Sequence, residues 1–302
     1  MSHQVVGLGQ CALDLLGTLS RYPGVDEKAE LHEVLIQGGG PVATALVALC
    51  RLGVETAFWG RVGDDDFGEK IRSGLEGEGV DCSGLLSDSG RTSQVAFIAV
   101  EGGSAHRNIF WHRGSARPLE PDEVDPGILG AAQVLHLDGL QRGASLAAAR
   151  IARSRGLITV LDGGTFREGT EELLPLIDHP VVSERFARSL CPDDPLRAVD
   201  LLLDRGGLAA TVTLGALGSH TGSREGERFH QPAFLVDAVD TTGCGDVFHG
   251  GYIFGLLQGW PLKRVVRFAA ACAALKARKL GGRTAIPTLA EAEAFLAERV
   301  DA

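Results

Sequence analysis

Short apolar runs alternate with longer segments rich in alanine and leucine along most of the chain. Short continuous apolar runs are typical of strands buried on both faces of a parallel sheet, and the longer segments suit the helices that connect such strands. The strands are predicted at Val5 to Leu8, Thr56 to Gly60, Val134 to Leu137, Ile158 to Leu161 and Ala210 to Leu214. This pattern predicts an α/β fold in which helices flank a doubly wound, mostly parallel sheet.

Two regions interrupt this alternation. Residues 30–36, and residues 92–100 together with 108–112, have the character of exposed strands. No internal repeat, low-complexity run or linker divides the sequence, and doubly wound enzymes often reach 302 residues as one domain. We therefore predict a single domain over residues 1–302 with a few exposed strands outside its main sheet.

A glycine turn precedes an apolar segment in the last quarter of the chain. Gly243 and Gly245 allow a tight turn, and Val247 to Leu257 is apolar enough to form a buried helix. The first amides of a helix have no intrahelical partner, so together with the helix dipole they can bind an anion. Asp246 lies at this turn, where a carboxylate can take a proton from a hydroxyl that attacks a phosphate. The alternative is that Asp246 only caps the helix.

The composition is that of an ordinary globular enzyme, with 44% hydrophobic and 23% charged residues. The net charge of -10 argues against general binding to nucleic acid or membranes. No apolar run is long enough to span a bilayer and no secretory signal is recognisable, so a cytoplasmic location is expected. The six cysteines are scattered without a Cys-x-x-Cys pair, which favours reduced thiols over a metal site or disulfides.

Two common nucleotide-binding motifs are missing from the sequence. Gly7 and Gly9 follow a strand as in a dinucleotide-binding fingerprint, but position 12 is alanine and no acidic residue closes a second strand. The P-loop pattern Gly-x-x-x-x-Gly-Lys-Ser/Thr does not occur. Any ATP would therefore be bound without a P-loop.

The segment Asp240-Thr-Thr-Gly-Cys-Gly-Asp246 resembles the second signature of the ribokinase, or PfkB, family of carbohydrate kinases, whose usual form is Asp-Thr-x-Gly-Ala-Gly-Asp. The resemblance implies an ATP-dependent kinase in which Asp246 is the catalytic base. It also implies that the amides of Gly243, Cys244 and Gly245 stabilise the transferring phosphoryl group. Cysteine in place of alanine is a small change at a position that acts through its amide.

Residues 37–53 and 58–68 are similar to the first signature of the same family. The resemblance places Gly38 and Gly39 at the sugar. Its register puts Ala43 where most members have a sugar-binding asparagine, so one expected hydrogen bond is missing.

Two further carboxylates are assigned to the sugar by the same resemblance. Asp14 stands at the position of the family's sugar-binding aspartate. Asp138 ends a predicted strand on the ligand edge of the sheet, where members carry a carboxylate for sugar hydroxyls.

The resemblance extends to the nucleotide site. Residues 211–219 are similar to the loop that passes under the nucleotide, and residues 280–287 are similar to the loop that closes over adenine. The residues implied to contact ATP are Ser183, Thr213, Gly215, Gly218 and Gly282. Carbonyls around Asp240 and Thr242 are implied to hold a monovalent cation, which we expect to be K+.

The magnesium site departs from the family pattern. Members usually carry Asn-x-x-Glu, in which the glutamate organises Mg2+ through water. Here Ser183 begins the corresponding run, Phe186 occupies the usual glutamate position, and Glu184 is displaced but present. Mg2+ is still expected with ATP, with Glu184 as its candidate contact through water. Arg167 is open to two interpretations, a phosphate contact or a solvated surface residue.

In this family the exposed strands form a small β-sheet lid over the sugar, often shared between two subunits. The resemblance therefore implies lid strands inserted at about residues 15–36 and 92–113, and a homodimer formed through the lid sheet. Such a lid would exclude water and protect ATP from hydrolysis.

The substrate is less well defined. Residues 38–45, 230–239 and 246–250 resemble sulfofructose kinase in wording, but of the Lys, Asn and Arg around its sulfonate only Lys28 has a match. The Asn position falls at about Trp111 and the Arg position at about Leu140, with Arg113 and Arg142 nearby. We favour a neutral ketose or pentose phosphorylated on a primary hydroxyl. Sulfofructose kinase and a catalytically lapsed sugar-binding protein are the alternatives, and a nicotinamide-dependent dehydrogenase is a more distant one.

Overall fold

The computed structural model describes residues 3–102 and 107–299, which form two sheets and the helices around them. The strands are β1 Val5–Leu8, β2 Ala12–Leu19, β3 Glu33–Gly39, β4 Thr56–Gly63, β5 Asp81–Asp88, β6 Val95–Glu101, β7 Arg107–His112, β8 Val134–Leu137, β9 Ile158–Gly163, β10 His179–Ser183, β11 Ala209–Thr213, β12 Ser219–Ser223 and β13 Arg228–Gln231. The helices are α1 Pro41–Arg51, α2 Asp66–Glu76, α3 Arg142–Ser154, α4 Thr170–Leu173, α5 Glu184–Leu190, α6 Ala198–Asp204, α7 Cys244–Leu257, α8 Leu262–Lys276 and α9 Leu289–Ala297.

The large sheet has the strand order β13-β12-β11-β10-β9-β8-β1-β4-β5. Its strands are parallel from β5 to β11, and only β12 and β13 at one edge are antiparallel. Successive side chains of a strand point to opposite faces, so Val6 packs in a cluster with α3, α5 and α6, whereas Val5 packs with α1, α7 and α8. Both faces are therefore covered by helices, and the predicted doubly wound fold is confirmed.

The small sheet has the order β3-β2-β6-β7. One of its faces is packed around Leu16, Ile98 and Val100, and the other exposes large apolar side chains. Three predicted strands match β3, β6 and β7 within a few residues. The residue pattern did not mark β2, because its residues are mostly buried and show no alternation of polar and apolar positions, although the lid bounds of about 15–36 implied by the resemblance include most of it. Within the described residues, no helix has the length and apolar character needed to cross a membrane.

Candidate active site

The turn before α7 depends on a glycine. Gly243 is the residue that precedes the helix, and its φ of 76° lies in the left-handed region. A Cβ at this position would lie 2.9 Å from the Cα of Gly282, so the turn and the loop after α8 are in direct contact. The resemblance implied that Gly282 contacts ATP, and the structure places Gly282 against the turn at Gly243.

The amides at the start of α7 are available for an anion. The amides of Gly245 and Asp246 have no hydrogen-bond partner among the described residues. The amide of Cys244 instead donates to the Thr241 carbonyl at 3.2 Å and closes the turn. Of the three amides expected to bind the phosphoryl group at positions 243 to 245, the Cys244 amide therefore already has a hydrogen-bond partner.

Asp246 lies in the first turn of α7 and accepts no hydrogen bond from the described residues. No side chain caps this helix, so the alternative capping role is not what the structure shows. Burial raises the pKa of Asp246 well above its usual range, and the carboxylates of Asp162 and Asp14 raise it further. A carboxylate of raised pKa without a partner can act as a proton acceptor.

The sugar-binding residues implied by the sequence meet where β2 lies beside β3. Asp14 on β2 is buried, and Gly38 and Gly39 follow its pairing partner Gln37 on β3. A Cβ on Gly39 would lie 2.1 Å from Oδ2 of Asp14, and a Cβ on Gly38 would lie 2.3 Å from Nη1 of Arg283. The two glycines therefore leave the space that Asp14 and Arg283 occupy.

Arg283 was missed as a site residue by the sequence interpretation. Its guanidinium is buried and donates to the Gly39 carbonyl at 3.2 Å and to the Thr44 hydroxyl at 3.3 Å. Burial raises the pKa of Asp14 to about 6, and the positive charge of Arg283 opposes that shift. The sugar side of the site thus carries a buried carboxylate with a buried cation beside it.

Asp138 follows β8 and is held by two amides. It accepts from the Gln10 amide at 2.7 Å and from the Leu140 amide at 2.9 Å. Burial raises the pKa of Asp138 to about 7, and the two amides lower it in part. Leu140 falls at about the position of the sulfonate-binding arginine in the resemblance to sulfofructose kinase. Here it contributes its backbone amide.

Asp162 and His249 form a pair of buried residues near Asp246. Nδ1 of His249 lies 3.4 Å from Oδ2 of Asp162, and its two ring nitrogens also contact the carbonyls of Gly245 and Val181. The pair therefore connects β9 and β10 to the first turn of α7.

A cavity of about 430 Å³ is lined in part by this turn. It brings together the loop residues that the sequence assigned to ATP and the start of α7, with an apolar wall from α8 and the segment after β13. The polar and glycine residues that line it are Arg107, Thr213, Gly215, Gly218, Ser219, Thr241, Cys244 and Gly245. Its size and its mixture of apolar wall and few polar groups suit a nucleotide.

Arg107 is a second residue that the sequence did not identify. It lies at the start of β7 in the small sheet, and its Nη1 donates to the Thr241 hydroxyl at 2.5 Å. A guanidinium from the small sheet thus reaches this cavity. The predicted strand began one residue later, so Arg107 was not considered.

Ser183 and Glu184 do not line this cavity. The Ser183 hydroxyl accepts from the Phe186 amide at 3.2 Å and donates to the Gly164 carbonyl at 2.8 Å, so it caps α5. Glu184 pairs with Arg188 one helical turn later at 2.5 Å. Phe186 is buried against Phe166, which leaves no carboxylate at the position where the family has one.

The candidate anion-binding residues for the sugar are dispersed. Lys28 is exposed on the loop between β2 and β3, and it makes no hydrogen bond or ion pair with any described residue. Arg142 pairs with two glutamates on the surface, and Arg113 lies over the ring of Trp111 at 5.6 Å. Arg142 also lines a small cavity of about 20 Å³ beside Asp138 and Asp162, together with Arg167, the candidate phosphate contact.

The expected cation ligands lie in one buried turn. Oδ1 of Asp240 accepts from the amide and hydroxyl of Thr242, and Oδ2 accepts from the Gly281 amide at 2.8 Å. The Asp240 carbonyl, which the sequence assigned to K+, accepts a hydrogen bond from Nζ of Lys276 at 2.8 Å. The Asp240 carbonyl is therefore already bound by a lysine ammonium. The residues present at this position do not fit K+.

The fold is similar over its length to a sugar-kinase structure. The ribokinase from Thermotoga maritima matches with a TM-score of 0.85 and 25% identity, with 98% of this chain and 99% of that chain covered. Two related proteins have similar sequences. The ATP-dependent ribose-1-phosphate kinase of Halopiger xanaduensis is 31% identical over 302 residues, 99% of each chain. The ribokinase of Haemophilus influenzae is 31% identical over 268 residues, 85% of this chain and 87% of that protein.

The sequence profile of the pfkB family carbohydrate kinases matches residues 2–289. The fold and site thus define a phosphotransferase that acts on a sugar hydroxyl. The chain belongs to the pfkB family of carbohydrate kinases and has a ribokinase-like fold.

Proposed function

We propose that this kinase transfers the γ-phosphoryl group of ATP to a primary hydroxyl of a ketose or pentose. The observation that carries the proposal is the position of Asp246. Its carboxylate has no partner among the described residues and is within electrostatic reach of the buried Asp14, and the free Gly245 amide beside it lines the 430 Å³ cavity. A base between an acceptor hydroxyl and a phosphoryl group is what in-line transfer requires.

The residues have separate roles in this reaction. Asp14 and Asp138 hold sugar hydroxyls, and Asp246 takes the proton of the attacking hydroxyl. The amides of Gly245 and Asp246 stabilise the charge that develops on the transferring group. Thr213, Gly215 and Gly218 support the nucleotide, and Gly282 supports the turn that carries those amides.

Mg2+ accompanies ATP in this proposal and neutralises the charge of its phosphates. No cluster of three or more carboxylate, histidine or cysteine side chains suited to a metal occurs in the described part of the chain. This fits Mg2+, which is commonly held by substrate phosphates and water with few protein ligands. Glu184 would have to leave Arg188 to contribute through water, so we assign it no step.

We further propose that the small sheet is a lid and that two copies of the chain pair through it. The support is its outer face, which exposes large apolar side chains without a covering element. These are Val34, Ile36, Phe97 and Phe110, each more than 40% exposed. Light scattering of the purified protein tests the pairing, and Phe110→Asp should shift a dimer to a monomer. A cytoplasmic location is part of the same proposal.

An ADP-release assay over a panel of acceptors tests the proposed reaction. The panel contains fructose, ribose, tagatose, 2-keto-3-deoxygluconate, sulfofructose, phosphorylated hexoses, nucleosides and ribose 1-phosphate. We expect turnover with a neutral ketose or pentose. Ribose 1-phosphate is included because the Halopiger relative named for it matches over the whole chain. Turnover of anionic sugars alone would exclude the neutral-sugar proposal. No turnover together with tight sugar binding would show a lapsed enzyme, and heat stabilisation by NAD but not ATP would favour a dehydrogenase.

Asp246→Asn is the matched variant for the mechanism. It removes a base without removing the amides, so turnover should fall by on the order of a hundred- to ten-thousandfold while stabilisation by ATP persists. Asp237→Asn, an exposed aspartate on the preceding segment, is the control and should keep full activity. Retention of more than a tenth of the turnover by Asp246→Asn would refute the assigned role.

A further inference from the structure

A buried lysine contacts the turn that carries the anion-binding amides. Lys276 is the last residue of α8, and its side chain is 0% exposed. Nζ donates to the Asp240 carbonyl at 2.8 Å and lies 4.0 Å from Oδ2 of the same residue. A lysine is almost never fully buried unless its charge has a partner.

Asp240 is the hub to which this lysine attaches. Its carboxylate accepts from both the amide and the hydroxyl of Thr242 and from the Gly281 amide. One residue therefore joins the turn at 240–242, the loop at 281 and, through Lys276, the end of α8. The Asp240 carboxylate and the Lys276 ammonium are both fully buried, so each supplies the opposite charge that the other needs.

The charge of Lys276 acts on the active site at short range. Burial lowers the pKa of Lys276, whereas Cys244, Asp240 and Asp246 raise it, so these groups lie within its electrostatic reach. Cys244 is the residue whose amide closes the turn to the Thr241 carbonyl. By holding the Asp240 carbonyl, the ammonium fixes the start of the turn that leads to the free amides of Gly245 and Asp246.

We propose that the Lys276 ammonium takes the place of a monovalent metal ion at the Asp240 carbonyl, so that the anion-binding turn is ordered in the absence of K+. Lys276 is a positioning residue, because it contacts Asp240 and not the substrate. This reverses the K+ requirement expected from the sequence. The inference rests on the proposed function for its turnover readout, but nucleotide binding tests it independently.

The first test varies the cation around the wild-type protein. ATP-induced thermal stabilisation, and turnover with the best acceptor, are measured at equal ionic strength in KCl, NaCl and tetramethylammonium chloride. The stabilisation by ATP should differ by less than twofold among the three salts, and so should the turnover. A fall of tenfold or more in tetramethylammonium, restored by K+, would overturn the proposal. If no acceptor is turned over in any salt, the proposed function fails while the stabilisation by ATP still decides this inference.

The second test removes the ammonium. Lys276→Met keeps most of the side-chain volume, and Lys276→Ala leaves space for an ion. Loss of a charged hydrogen-bonding group should weaken ATP binding on the order of tenfold or more in both variants when tetramethylammonium is the only cation. K+ should restore binding in Lys276→Ala but not in Lys276→Met. Lys279→Met, an exposed lysine three residues later, is the control and should match wild type.

Each outcome of the second test has a stated meaning. Unchanged ATP binding in folded Lys276→Met would overturn the proposal, as would equal rescue of both variants by K+. If neither variant folds, the salt series on the wild-type protein decides alone. A merely structural lysine would lower the melting temperature without making ATP binding respond to K+.

Discussion

Alanine at Gly39 should damage the sugar site through a single contact. The Cβ would lie 2.1 Å from Oδ2 and 2.5 Å from Cγ of Asp14, whereas real Cβ contacts essentially never fall below 3.0 Å. The backbone of Gly39 is held by its pairing with Ala12, so the Asp14 carboxylate must move instead. The move needed is about 1 Å, and a misplacement of that size can cost on the order of a hundredfold.

The size of the effect can also be estimated from the lost interaction. A hydrogen bond between a carboxylate and a ligand hydroxyl contributes about 1.5–3 kcal/mol, which corresponds to about ten- to a hundredfold in affinity. We therefore expect Gly39→Ala to raise the sugar KM about ten- to a hundredfold. The KM for ATP should change much less, since Gly39 does not line the cavity of about 430 Å³ that suits a nucleotide.

The assay is a steady-state measurement of both KM values with a melting curve for each variant. Gly74→Ala in α2 is the control, because nothing lies within 4 Å of its added Cβ and the helix should gain about 0.5–1 kcal/mol. Asp14→Ala should raise the sugar KM to a similar extent. The double variant should then be no worse than Asp14→Ala, because both changes act on the same carboxylate. Fully additive effects, or an unchanged sugar KM in Gly39→Ala, would refute this reasoning.

Three other substitutions separate the remaining assignments. Cys244→Ala should keep turnover within about threefold of wild type, because this residue acts through its backbone. A larger loss of turnover at saturating substrate concentrations would show that the thiol has a role of its own. Lys28→Ala should leave the KM of neutral sugars unchanged, since the side chain is exposed on a loop; a KM increase confined to anionic sugars would revive the sulfofructose alternative. Asp138→Asn should flatten the pH dependence of the melting temperature. The raised pKa of Asp138, about 7 against 3.8, contributes stability below pH 4 that is lost as the pH rises through 7. The assignment would be contradicted if the melting temperatures of this variant and of wild type changed by the same amount between pH 4 and pH 8.

The fold could be predicted where burial leaves a simple pattern. The strand β1 is buried on both faces and appears as a continuous apolar run, and the helix α7 was marked by Gly243 before an apolar segment. The edge strands β12 and β13 were missed because they are short and rich in polar residues, such as the run Ser219–Ser223. β12 pairs with β11 and β13 pairs with β12, so their pairing is set by tertiary contacts and not by local composition.

The candidate site was predictable to the extent that it follows the family motifs. Asp14, Gly39 and Asp246 come together as the motifs imply, although they are far apart in sequence. Arg283 was not identified because its loop was assigned to the nucleotide, while its long side chain extends to the Gly39 carbonyl on the sugar side. A backbone motif predicts the position of a loop, but it does not predict which neighbours a long side chain of that loop contacts.

Lys276 shows that a signal was present in the helix pattern. The buried positions of α8 include Val265, Ala269 and Cys272, and Lys276 follows at the next position of the same helical stripe. A lysine on an apolar stripe must bury its charge, so it predicts an anionic or carbonyl partner in the core. That partner is Asp240.

The end of α8 and its following loop therefore supply both buried cations of the site. Lys276 contacts the turn on the nucleotide side, and Arg283 contacts Gly39 on the sugar side. Between them the Gly281 amide is fixed by the Asp240 carboxylate, so the two cations are attached to one short segment. A displacement of this segment would disturb both the turn before α7 and the backbone at Gly39. Because both substrates depend on this single segment, we expect the loop at 280–284 to couple their binding, with each substrate tightening the affinity for the other by the same factor.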